Sequence, residues 1–208
     1  MEGSRLDRLA PLSGILALVC VGAAAAMIGV YDYLPTGEKL VEVFSRSPNT
    51  LVVSGLLGNL SAFFMFVFAS FTAVRLRQGS TPAGWLVKLA YGGGIATALV
   101  IGVGFTSLIA TGSRAGSPGG IGPIEAVTLY DFYGNLLGDL FGVTMACFML
   151  AAAVIWLRAG VLPSWFNWAA IVVGILLVTP VAYILEPVAL VWILVVSVRM
   201  YARPASPA

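Results

Sequence analysis

Long stretches without a single charge constrain this chain more than any other feature. Leu9–Tyr31 carries none, and Ser47–Val74 carries none either, with one strongly polar residue, Asn59, deep within it. Further apolar runs follow at 89–111, 140–157, 159–185 and 187–198. A helix rises about 1.5 Å per residue, so roughly 20 apolar residues cross the ~30 Å of hydrocarbon in a bilayer. A water-soluble domain carries about 25% charged residues to face solvent. Here only 10% of the 208 residues are charged and 60% are hydrophobic, so lipid must cover much of the surface.

These runs predict an all-α, polytopic transmembrane helical bundle forming a single domain over residues 1–208. Six spans are expected, at 11–31, 50–74, 88–111, 131–157, 164–182 and 186–201. Lys and Arg in short loops stay on the cytoplasmic side. With the N-terminus inside, Arg5, Arg8, Arg75, Arg77, Lys88, Arg158, Arg199 and Arg203 are cytoplasmic, and only Lys39, Arg46 and Arg114 are outside. Seven of the nine acids lie outside or towards it: Asp32, Glu38, Glu42, Glu125, Asp131, Asp139 and Glu186. Both signs of charge therefore favour a multi-pass protein of the cell membrane with both termini cytoplasmic.

Two other readings compete with this one. Residues 1–25 have the early arginines, apolar stretch and alanine run of a signal peptide. The apolar run continues to Tyr31, however, which is long enough to span. Pro180 and Pro187 would also suit a re-entrant hairpin and five spans, but that topology sends Arg199 and Arg203 outside.

Between the first two spans, residues 37–46 read as a short amphipathic helix on the outer side. Thr36 is placed to cap it, Glu38 stands near the positive end of its dipole, and Leu40, Val41 and Phe44 share one face. Gly112–Pro123, rich in Gly, Ser and Pro, reads as an irregular outer loop. It lacks the preceding strand and the closing Lys of a phosphate-binding loop. Gly92, Gly93 and Gly94 suit close helix contact or bending within span three.

Several chemistries are excluded or disfavoured. The chain has no histidine, which removes imidazole-held haem, His-ligated zinc or copper, and Ser-His or Cys-His nucleophile pairs. Cys20 and Cys147 sit in apolar runs without other soft ligands, so no metal site is expected. The net charge of +2 and the absence of a basic run disfavour nucleic acid as a partner. No catalytic signature and no cofactor are read from the residues.

What remains is a small set of polar and small residues. Gly134, Gly138 and Gly142 recur every four residues, a helix-packing pattern through which a second copy or another membrane protein can dock against span four. Asp131, Asn135 and Asp139 run beside them at the same spacing. Counting from Arg158 puts Asp139 ~28 Å away, near the outer boundary, with Asp131 and Asn135 further out. Counting from Arg199 leaves Glu186 ~20 Å away, inside the outer half of the hydrocarbon, and Asn59 lies close to the midplane. A bare carboxylate at that depth is costly. One reading makes Glu186 a helix cap ahead of Pro187 at the first helical position. The other gathers Glu186, Asp139, Asn59 and Asn135 into an outward-facing pocket, with Tyr183 and Tyr133 at the rim, suited to a cation, a protonated amine or a coupling proton.

Leu157 to Pro163, followed by Trp165 and Trp168, and the stretch from Tyr130 to Asp139 resemble a bacterial, actinobacterial-type family of small six-span integral membrane proteins of unknown function. The resemblance implies six spans in the bacterial inner membrane and brings no catalytic residues. An accessory, structural or partner-binding subunit is the expected role. The alternatives are a small transporter or binder using the acidic pocket, and a lipid-acting membrane enzyme relying on Asp or Glu.

Overall fold

A computed structural model describes residues 9–28, 35–78 and 84–202. Glu2, Arg5, Asp7, Arg8, Asp32, Arg203 and the expected end of span one at 29–31 lie outside the described residues. Within them the chain is all α-helical. The helices are α1 (Leu12–Ile28), α2 (Gly37–Arg46), α3 (Pro48–Gln78), α4 (Gly84–Ala115), α5 (Pro123–Asn135), a π-helical turn (Leu136–Leu140), α6 (Phe141–Ala159), α7 (Ser164–Leu176) and α8 (Ala182–Ala202). α5, the π turn and α6 form one rod of 37 residues. Among the described residues, four helices are long and apolar enough to cross a membrane: α3, α4, the α5–α6 rod and α8. α1, with 17 residues, and α7, with 13, are apolar but shorter.

Some boundaries differ from those read in the sequence, for physical reasons. The rod starts at Pro123 rather than 131, because Pro at the first helical position forgoes no bond that the helix would use. Its Glu125 reaches Arg114 at the end of α4, with Nε to Oε1 at 3.2 Å. α4 itself continues to Ala115, which leaves a tighter connection closed by the left-handed Gly119 and Gly120. α8 starts four residues before the expected 186, so Pro187 falls inside the helix instead of at its start. By the i to i−4 rule, the bond that Pro187 cannot make is the one to the Tyr183 carbonyl in the first turn.

α2 spans Gly37–Arg46, with the Thr36 hydroxyl accepting from the Lys39 N–H. Its Leu40 and Phe44 are buried. Gly37 lies where an added Cβ would be 2.8 Å from the Pro123 carbonyl oxygen, so the starts of α2 and α5 are in close contact.

Glycine seams set the distances between the long helices. Gly55 and Gly58 of α3 lie against Ile109 and the Phe105 ring of α4, and Gly94 of α4 lies against Ala69 of α3. On its other side α4 presents Gly93, where a Cβ would come 2.6 Å from the Phe148 backbone nitrogen of α6. α4 is thereby held between α3 and α6. Two hydroxyls clip α1 onto α3: Ser54 Oγ donates to the Ala24 carbonyl at 2.9 Å and Ser61 Oγ to the Ala17 carbonyl at 2.8 Å. Both partners shift by seven residues in opposite senses, so α1 and α3 run antiparallel. An aromatic chain then joins α3, α6 and α8, from Phe68 to Phe148 at 6.1 Å and Phe148 to Trp192 at 5.5 Å.

The contacts also fix which ends meet. Gly14 near the start of α1 faces Ser197 near the end of α8, and Gly112 near the end of α4 faces Pro48 at the start of α3. Arg75, Arg77, Lys88, Arg158 and Arg199 therefore collect at one end of the bundle. Glu38, Glu42, Glu125 and Asp131 collect at the other, together with Lys39, Arg46 and Arg114.

The glycine seam yields a paired prediction. Gly93→Ala must push backbone against backbone and should lower stability by about 1–3 kcal/mol. Gly92→Ala meets nothing within 4 Å and should be neutral or slightly stabilising. Thermal unfolding of the detergent-solubilised protein measures both, and equal midpoints for the two variants would contradict the seam.

Candidate functional site

A cavity of about 240 Å³ opens among α1, α3, α4, the rod and α8. Small side chains on α1, including Ala17 and Ala25, leave the space, and Met65, Ile101 and Leu190 are among the apolar groups that line it. The polar side chains on its walls are Ser61, Tyr133 and Glu186. Ser61 already gives its proton to Ala17 in the α1–α3 clip. Tyr133 stands edge-to-face with Phe105, ring centroids 5.8 Å apart at 83°.

Glu186 is the exceptional member. Its Oε1 is buried and has no hydrogen-bond partner among the described residues. No Lys or Arg lines the cavity, and neither described ion pair, Arg46–Glu42 or Arg114–Glu125, includes it. Asp139, on the π turn, is close enough for the two carboxylates to act on one another electrostatically. Asp139 is itself exposed and does not line the cavity. A buried polar atom left unpaired costs roughly 1–3 kcal/mol.

The helix start offers no role for this carboxylate as a cap. With α8 beginning at Ala182, Glu186 is the fifth residue, one turn inside the helix. It is held over the cavity by the packing of α8, whose Ala189, Ile193 and Val196 are buried.

The structure brings together only part of the residue set that depth and spacing pick out. Glu186 and Tyr133 share the cavity, with Asp139 nearby. Asn59 points elsewhere: its amide exchanges hydrogen bonds with the Thr106 hydroxyl of α4, Nδ2 to Oγ1 at 3.2 Å and Oγ1 to Oδ1 at 3.3 Å. Asn135 is exposed, and Tyr183 is 67% exposed on the flank of α8. Conversely, Phe105, Phe141 and Ser61 line the cavity although sequence reasoning misses them as site residues. A serine within an apolar span is the one available signal among them.

The π turn separates the glycines of the rod. Phe141 N–H reaches the Leu136 carbonyl, five residues back. The wider turn rotates α6 by about one residue, ~100°, relative to an unbroken α-helix. Gly142 accordingly packs inward, where a Cβ would be 2.6 Å from the Leu177 carbonyl oxygen. Gly134 and Gly138 face open space, with nothing within 4 Å of an added Cβ. Among the described residues no group of three or more His, Cys, Asp or Glu is placed to hold a metal.

If Glu186 is carried for binding and not for folding, Glu186→Leu should raise thermal stability, by on the order of 1–3 kcal/mol. A fall in the midpoint would mean that the carboxylate has a structural partner. Comparison with protein-family models, with curated proteins and with solved structures gives no match. The helices and their apolar faces therefore carry the assignment by themselves, and the chain is an all-α, multi-pass integral membrane protein.

Proposed function

We propose that this protein is a six-span bundle of the bacterial inner membrane, with both termini cytoplasmic, that binds a small apolar organic cation in the α1–α3–α4–α8 cavity. The observation that carries the reading is the buried, unpartnered Oε1 of Glu186 on a largely apolar wall. Such an oxygen lowers its cost by meeting a positive charge, and the walls offer none.

The topology is supported by charge. Five basic residues and no acid stand at one end among the described residues, which by the positive-inside rule is the cytoplasmic end. α7 runs antiparallel to α6, as the facing of Gly174 with Leu150 and of Gly142 with Leu177 indicates, which supports a fifth crossing back to the acidic end. α1 and α7 would extend ~25 Å and ~20 Å. Flanking residues and local thinning of the bilayer can make up that shortfall. The cavity then opens towards the outside, because Glu186 lies near the acidic end of α8.

A second reading, an accessory subunit that docks a partner, draws on one specific observation: Gly134 and Gly138 present a bare backbone outward from the rod. An oligomer that survives purification and is dissolved by Gly138→Leu would favour it.

Single cysteines at Gly119, Gly160 and Thr179, in a background lacking Cys20 and Cys147, test the topology in right-side-out vesicles. An impermeant maleimide should label positions 119 and 179 and spare 160; a protected 179 would contradict the fifth crossing. For the site, Glu186→Gln should weaken equilibrium binding of an organic cation at least about tenfold, the scale of one lost charge contact. Unchanged affinity would refute the assignment.

A further inference from the structure

The chemistry of the cavity wall restricts which cation it can hold. We propose that the ligand is an N-alkylated ammonium, tertiary or quaternary, and not a primary amine or a metal ion; this rests on the reading that Glu186 receives a cation.

Hydrogen-bond supply separates the candidate cations. A primary ammonium brings three N–H donors that must all be satisfied once it leaves water. The polar side chains of the wall are Glu186, Ser61, whose proton is already committed, and Tyr133, so a primary ammonium has to engage at least two of them at once. The helical carbonyl that Pro187 frees, that of Tyr183, belongs to a residue that does not line the cavity. A tertiary ammonium has one N–H, which one carboxylate oxygen can accept, and a quaternary ammonium has none. Hard metal ions fare worse still, since they take about six oxygen ligands. Asp139, the second carboxylate in the neighbourhood, does not line the cavity.

Aromatic rings, by contrast, are abundant on the wall. Phe105, Tyr133 and Phe141 line the same cavity as Glu186. Aromatic faces attract alkylated ammonium groups through the ring quadrupole without any hydrogen bond. In the edge-to-face pair of Phe105 and Tyr133 the rings lie nearly perpendicular, at 83°, so the edge of one meets the face of the other. The remaining lining, with Leu18, Val21, Met65 and Ile193, suits the alkyl groups that such a cation carries. Carboxylate, aromatic rings and aliphatic wall together match a charge wrapped in carbon.

The test compares three ligands of similar carbon content on the purified full-length protein in lipid nanodiscs: tetraethylammonium, n-octylammonium and the neutral isostere 3,3-diethylpentane. Tetraethylammonium should bind about tenfold or more tighter than either of the others, the scale of a desolvated cation–π contact, to which the charge contact adds against the neutral isostere. Tyr133→Leu should remove most of that advantage and Tyr133→Phe, which keeps the ring, should retain it. Glu186→Gln should weaken both cations. If n-octylammonium binds as well as tetraethylammonium and both depend on Glu186, the inference is overturned while the cation reading stands. If neither cation binds, or the isostere binds as well as tetraethylammonium and Glu186→Gln changes nothing, the cation reading falls and the inference with it.

Discussion

The bundle depends on how closely α4 approaches the helices on either side. Inside a bilayer the surrounding lipid is as apolar as a leucine side chain, so burying apolar surface does not by itself drive helices together. Packing contact has to do it, and contact improves when backbones can come near. Gly55 and Gly58 open α3 to Phe105 and Ile109, and Gly93 and Gly94 open α4 to Phe148 and Ala69. The two long helices are thereby set against each other, and α6 is set against α4. The hydroxyl clips from Ser54 and Ser61 then add α1 by a different means, a hydrogen bond to a main-chain oxygen.

The cavity arises from this unequal packing. α4 is pressed between α3 and α6, whereas α1 meets the bundle with small side chains and two clips. The space left beside Ala17 and Ala25 is also lined by α8 and the π turn. Both of these elements depart from regular α-helix: α8 has Pro187 in its second turn, and the rod has an extra residue at Leu136–Leu140. Such departures are frequent where a helix has been adapted to a site. Here they stand beside the two carboxylates, Glu186 and Asp139.

Much of this architecture is legible in the sequence, and the rest is hidden for identifiable reasons. Charge-free runs announce the helices, and Thr36 with the Leu40–Phe44 face announces α2, because capping and amphipathicity are local properties. Glu186 stands out because its depth can be counted from Arg199. Asn59 looks similar by depth and is misleading, since its partner Thr106 is on another helix and spacing along one chain cannot show it. The glycine row of the rod looks like one stripe when 3.6 residues per turn are assumed throughout, and the π turn breaks that assumption between Gly138 and Gly142. Phe105 and Phe141 are invisible as site residues because an aromatic residue in an apolar span resembles every other lipid-facing or core residue. The bacterial six-span resemblance rests on loose motifs and has no family match behind it.

The central claim is that the Glu186 carboxyl meets the charge of a bound organic cation. Infrared difference spectroscopy reads that contact directly, by recording the carboxyl bands of the protein with and without tetraethylammonium. The account predicts a change in a carboxyl or carboxylate band that is present in the unmodified protein and absent in Glu186→Gln. A spectrum with no carboxyl change at saturating cation, or the same change in Glu186→Gln, would contradict it.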